Sequence, residues 1–210
     1  MAAEHEHGDS SLAPRFPQAA FDVVAMASSA GGLGALRTVL SDLPKEFPAA
    51  IVIVQHLDPR HRSLMAEIIS KGTPLAVKQA EAEDRLSAGT VYIAPPARHL
   101  LVNADGTLAL TQSELVHFVR PSADLLFESV AATYKDRAIA VVLTGTGSDG
   151  SMGVQAIKKM GGTVIAQDSG TAEFSGMPDA AIATKVVDFI LPLEEVASAL
   201  ATLVMKGGVE

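Results

Sequence analysis

Three short apolar runs constrain this chain more than any other feature: residues 21–27 (FDVVAMA), 51–54 (IVIV) and 138–143 (AIAVVL), interrupted only by Asp22. None alternates apolar with polar residues. Each therefore reads as a strand buried on both faces, the habit of a parallel sheet covered by helices on both sides. Helical patterns lie between and after these runs, over 32–40, 64–70, 122–134, 151–160, 178–184 and 193–205, and further strand patterns over 75–78, 90–94, 163–167 and 186–191. Strand alternating with helix predicts βαβ units with right-handed crossovers. The runs 100–103 and 107–111 flank Asp105-Gly106, a strong hairpin signal. The expected fold is α/β: a doubly wound, mainly parallel sheet flanked by helices, with an inserted antiparallel β-hairpin.

At 210 residues with 48% apolar content, the chain has the size and the core material of one domain. Residues 1–18 are rich in Ala, Ser, Pro and charge and lack the basic-then-apolar layout of a secretory signal. They are expected to be a disordered tail, leaving 19–210 as the folded domain; His5 and His7 in that tail suggest no more than stray metal binding. A net charge of −8 with no Lys/Arg run argues against nucleic acid and against a membrane surface. No apolar run reaches the roughly 18–20 residues that span a bilayer. Without cysteine, disulfides, zinc–thiolate sites and a cysteine nucleophile are excluded, which fits the cytosol.

Each long apolar run leads into a loop carrying a side chain capable of chemistry: Ser29, His56 and Asp149. In open α/β sheets ligands bind beyond the carboxyl ends of the strands, so three strands can deliver these groups to one place. Ser29 lies in Ala-Ser-Ser-Ala-Gly-Gly-Leu-Gly at 27–34, ahead of a helix whose free N–H groups suit an oxyanion or, equally, a phosphate. A plain glycine-rich turn with a capping serine accounts for the same letters. The segment matches neither Gly-x-Gly-x-x-Gly, nor a P-loop, nor Gly-x-Ser-x-Gly. A histidine at a strand end suits a general base; His61, His99 and His117 have less favourable addresses. Asp149, in Thr-Gly-Thr-Gly-Ser-Asp-Gly-Ser at 144–151, suits the orienting carboxylate of a triad. On local grounds it reads slightly better as the N-cap of the helix that follows. No Asp, Glu and His grouping has metal-ligand spacing, and Glu81–Asp84 reads as a solvated loop.

With these segments in view, the chain from about residue 21 to 204 resembles the catalytic domain of chemotaxis receptor protein-glutamate methylesterases of the CheB type. The resemblance rests on Ala-Ser-Ser-Ala-Gly-Gly, Val-Gln-His, Tyr-Ile-Ala-Pro-Pro, Arg-Pro-Ser-Ala-Asp-Leu-Leu-Phe-Glu-Ser-Val-Ala, Leu-Thr-Gly-Thr-Gly-Ser-Asp-Gly and Gly-Met-Pro, in that order. It implies Ser29 as nucleophile, His56 as base, Asp149 as the third triad member, and the backbone N–H groups of Ala30 and Thr146 as oxyanion donors. It implies hydrolysis of glutamyl γ-methyl esters, with glutamine deamidation by the same route, and no cofactor or metal. The implied partners are the methylated cytoplasmic helices of chemoreceptors, with a separate receiver or methyltransferase protein as a further partner, in the cytoplasm. The receiver domain that usually precedes such a domain is missing from the sequence given. Arg60, Arg62 and Arg98 are candidates for a basic docking rim, though ordinary surface arginines account for them more simply. The competing expectations are a non-catalytic signalling or scaffold domain and a phosphate or nucleotide binder built on the 28–34 turn.

Overall fold

The computed structural model describes residues 12–56, 63–116 and 118–205. Seven parallel strands form one sheet in the order β3-β4-β2-β1-β7-β8-β9. In chain order they are β1 (Val23–Ser28), β2 (Ala50–Gln55), β3 (Ala76–Gln79), β4 (Thr90–Ile93), β7 (Ala138–Val142), β8 (Thr163–Gln167) and β9 (Phe189–Leu191). A separate antiparallel pair, β5 (His99–Val102) and β6 (Leu108–Thr111), is the expected hairpin. Its turn is set by Asp105, whose Oδ1 accepts the Thr107 N–H at 3.0 Å, and by Gly106. Among the described residues the α-helices are α1 (Gly32–Ser41), α2 (Met65–Ser70), α3 (Ala123–Tyr134), α4 (Ser151–Lys159), α5 (Gly176–Ala183) and α6 (Leu193–Val204), with a single 3-10 turn at Lys135–Arg137.

The absence of alternation in the central strands has the predicted cause. Val23, Ala25 and Ala27 pack on one face with α3, α4 and the hairpin, while Val24 and Met26 pack on the other with α1, α2 and α6. Both faces of β1, β2 and β7 are buried, so neither set of positions can be polar. The exceptions are Ser28 and Gln55, which end β1 and β2 and bond each other, and Asp22, fully buried just before β1, where Arg15 and Arg137 pair with it and the Phe16 N–H donates to it. These contacts anchor the segment ahead of β1. Residues 1–11 of the expected tail lie outside the described residues, but Ala13 and Phe16 pack against the core.

Observed elements differ from the sequence expectation mainly at their ends. The last strand is shorter, Phe189–Leu191, because Val186 and Val187 instead pack on the core from the preceding loop. Helix α5 starts earlier, at Gly176, with Pro178 inside its first turn, where no N–H partner is lost. No helix among the described residues is long and apolar enough to cross a membrane.

Candidate active site

β1, β2 and β7 lie side by side in the centre of the sheet, with Ser28 opposite Gln55 and Ala27 opposite Val142. Just beyond, the His56 N–H donates to the Ser28 carbonyl at 3.1 Å, and the Ser29 N–H donates to the Thr144 carbonyl at 3.0 Å. The three loops thus meet at the carboxyl edge because their strands are neighbours in register.

Ser28 closes β1 and Ser29 is the first residue beyond it, and the two side chains have different surroundings. Ser28 is fully buried, and its Oγ donates to Gln55 Oε1 at 2.6 Å. Ser29 is partly exposed, and its hydroxyl has no hydrogen-bond partner among the described residues. Gln55 Nε2 donates to the carbonyls of Ser29 (2.6 Å) and His56 (3.0 Å), so one buried amide holds both loop starts.

His56 Nε2 lies 2.8 Å from Asp149 Oδ2, with the two side chains 15% and 4% exposed. This engages Nε2 and leaves Nδ1 as the ring nitrogen available to another group. Asp149 also accepts from the Ala123 N–H at 2.6 Å, the Asp124 N–H at 3.1 Å and the Ser122 hydroxyl at 2.9 Å. Burial pushes its carboxyl pKa up, but the bonds from His56, Ala123 and Asp124 outweigh that and hold it below the ordinary carboxylate value. The expectation that Asp149 caps the helix after it does not hold: its carboxylate caps α3, whose N-terminal donors it accepts. The N-terminus of α4 is satisfied instead by Asp124 Oδ1, which accepts from the N–H groups of Met152 (2.9 Å) and Gly153 (2.7 Å). Each helix is capped by an aspartate belonging to the other's segment.

The remaining wall comes from residues 144–147 and 172–177. Thr144 Oγ1 lies 3.1 Å from the Ala30 carbonyl and 3.2 Å from that of Phe174, and accepts from the Phe174 N–H at 2.9 Å. Residue 145 has to be glycine, since a Cβ there would come within 2.4 Å of Met177 Sδ and 2.8 Å of Ser29 Cβ. The backbone N–H groups of Ala30 and Thr146 have no acceptor among the described residues, so both are available as donors on the turns that follow β1 and β7.

Sequence reasoning therefore singled out Ser29, His56, Asp149, Ala30 and Thr146, and the fold brings their segments to one sheet edge. It set His99 aside as a less favourable base and missed the parts that Gln55, Ser122 and His99 play in holding them. Of the basic residues considered for docking, Arg98 is exposed just before β5, while Arg60 and Arg62 lie outside the described residues, as do His61 and His117. Among the described residues no group of three or more His, Asp or Glu is arranged to hold a metal ion.

A parallel α/β domain with a serine, a His–Asp pair and free N–H groups gathered at its carboxyl edge defines a class of protein built for attack on a carbonyl. Within that class the chain belongs to the CheB methylesterase family, whose sequence model matches residues 24–200. The structure is similar to the crystal structure of the Thermotoga maritima CheB methylesterase catalytic domain. The TM-score is 0.84 with 38% identity, over 88% of this chain and 99% of that one. A Leptospira interrogans protein is 41% identical over 177 residues, 84% of this chain and 92% of that protein. Proteins of Symbiobacterium thermophilum and Moorella thermoacetica, both named protein-glutamate methylesterase/protein-glutamine glutaminase, are 37% and 41% identical. This chain spans 51% and 45% of their respective lengths.

Proposed function

We propose that the protein is a protein-glutamate methylesterase in which Ser29, His56 and Asp149 work as a nucleophilic triad. The observation that carries this reading is the 2.8 Å His56–Asp149 bond at the end of the strand next to that of Ser29, whose hydroxyl is unengaged among the described residues. In the proposed reaction His56 Nδ1 takes the Ser29 proton as Oγ attacks the γ-carbonyl carbon of a methylated glutamate. The Ala30 and Thr146 N–H groups hold the resulting oxyanion. Collapse breaks the bond to methoxide, which leaves as methanol with the proton from His56. A water molecule, deprotonated by His56, then attacks the glutamyl ester and frees glutamate and Ser29. Asp149 keeps the Nε2–H tautomer and offsets the imidazolium charge. With an amino group in place of the methoxy group the substrate is a glutamine side chain, and the same route gives deamidation, the amino group leaving as ammonia with the proton from His56.

The proposed substrates are methylated glutamates on the cytoplasmic helices of chemoreceptors, which makes the cytoplasm the site of action. A phosphate cradle on the 28–34 turn is disfavoured by Glu173, whose carboxylate oxygen lies 2.7 Å from where a Cβ on Gly31 would sit, so the turn already faces negative charge.

The test is methanol release from a methylated chemoreceptor fragment by the wild type and by Ser29→Ala. Wild-type release with a loss of about 10⁴-fold in the variant is expected. Near-normal release by Ser29→Ala removes Ser29 from the mechanism.

A further inference from the structure

A buried chain of hydrogen bonds runs from the hairpin to Asp149 and His56 through two residues, His99 and Ser122, with no role in the reaction as described. His99 opens β5 and is fully buried. Its Nε2 lies 3.0 Å from the Glu114 carbonyl and its Nδ1 accepts the Ser122 N–H at 3.1 Å. Nδ1 must be unprotonated to accept, so Nε2 carries the hydrogen and His99 is a neutral, fixed tautomer. Ser122 then passes its hydroxyl to Asp149 Oδ1 at 2.9 Å, and Asp149 Oδ2 meets His56 Nε2 at 2.8 Å.

Ser122 is the residue whose conduct needs explaining. It occupies the N-cap of α3 with extended backbone, where a serine ordinarily turns its oxygen back onto its own helix. Here it makes no such bond, and the Asp149 carboxylate accepts the first-turn N–H groups instead. The hydroxyl is thereby released to donate to the carboxylate oxygen that does not face His56. With Oδ1 taken by Ser122 and Asp124, the carboxylate plane is fixed and only Oδ2 is presented to the imidazole. The backbone N–H groups alone leave Oδ1 with one donor at 3.1 Å.

We propose that Ser122, seated by neutral His99, is a positioning residue that sets the orientation of Asp149 and through it the tautomer and aim of His56. This rests on the triad reading above. It assigns the hairpin a purpose: β5 delivers His99 to the start of α3, so an insertion outside the main sheet buttresses the site within it.

The test uses the full chain with ¹⁵N-labelled imidazoles and reads the His56 Nε2–H proton by NMR, together with kcat and KM for methanol release. Ser122→Ala is compared with Ser129→Ala, which removes a hydroxyl that fastens the same helix to Val102 of the hairpin but touches none of this chain. Expected for Ser122→Ala is an upfield move or exchange-broadening of the His56 resonance, with kcat down about ten- to a hundred-fold and KM held. Ser129→Ala is expected to lower the melting temperature while leaving the resonance and kcat in place. Ser122→Gly, which also lacks the hydroxyl but suits a helix start, carries the test if Ser122→Ala does not fold. A wild-type resonance and a wild-type kcat in the folded variant overturn the proposal and leave Ser122 as a fastener of α3. The resonance is read without substrate, so a wild type that releases no methanol defeats the esterase reading and leaves this test standing.

Discussion

Ser28 and Ser29 are identical side chains in adjacent positions, but Ser28 ends the buried strand and Ser29 begins the half-buried turn after it, which gives them different surroundings. Ser28 spends its hydroxyl on Gln55; that of Ser29 has no partner among the described residues. Gln55 is the residue through which β2 reaches back to β1, since its amide satisfies the Ser28 hydroxyl and two loop carbonyls at once. Gln55→Leu leaves those partners unpaired in a buried place and is expected to cost about 2–3 kcal/mol, measured as a lower denaturation midpoint at unchanged slope. An unchanged midpoint means the loops are held by other contacts. The sequence shows Gln55 as the last residue before a candidate base, but nothing in its neighbours announces a bond to residue 28. His99 was hidden for a related reason: its partners, Glu114 and Ser122, lie 15 and 23 positions away, and no local pattern records them.

Among the elements, the pairing of α3 with α4 decides where Asp149 points. Local reading favours Asp149 as the cap of its own helix, because the sequence rules for capping concern adjacent residues. The structure exchanges the two aspartates instead, a tertiary choice made possible by α3 and α4 packing with their N-termini together. Gly153 permits that approach, as a Cβ there would come within 2.6 Å of Phe127 Cβ. Asp124→Ala strips the cap from α4 and is expected to lower stability by about 1–2 kcal/mol, read from urea unfolding. If stability is unchanged, the exchange contributes nothing net. By contrast the βαβ alternation and the hairpin were legible, because they depend on apolar runs and on Asp105-Gly106, which are local. Element ends were less so: β9 begins three residues later than its apolar run.

At the scale of the whole molecule, the sheet order puts β1 between β2 and β7, and that neighbourhood brings residues 29, 56 and 149 together across 120 positions of chain. The same centre carries the buried Asp22, which ties β1 to Arg137 ahead of β7 and to Arg15 in the N-terminal segment. Burial raises its pKa, but the bonds from Arg137, Phe16 and Arg15 bring it below the ordinary 3.8. Asp149 is depressed as well. Groups whose folded pKa is lowered add stability that is complete above the unfolded value and lost as pH falls through the folded one. Stability is therefore expected to decline below about pH 4, and Asp22→Asn is expected to flatten part of that slope in a pH series of urea midpoints. A slope equal to that of the wild type assigns the acid sensitivity elsewhere.

The central claim is that Ser29 and His56 form one catalytic unit set by adjacent strand ends. The most direct measurement is the kcat of Ser29→Ala, His56→Ala and the double variant on the same methylated receptor fragment. A single unit predicts that the double variant is no slower than either single, each about 10⁴-fold below wild type. Losses that multiply in the double variant contradict the account, because they mean that the two residues act independently.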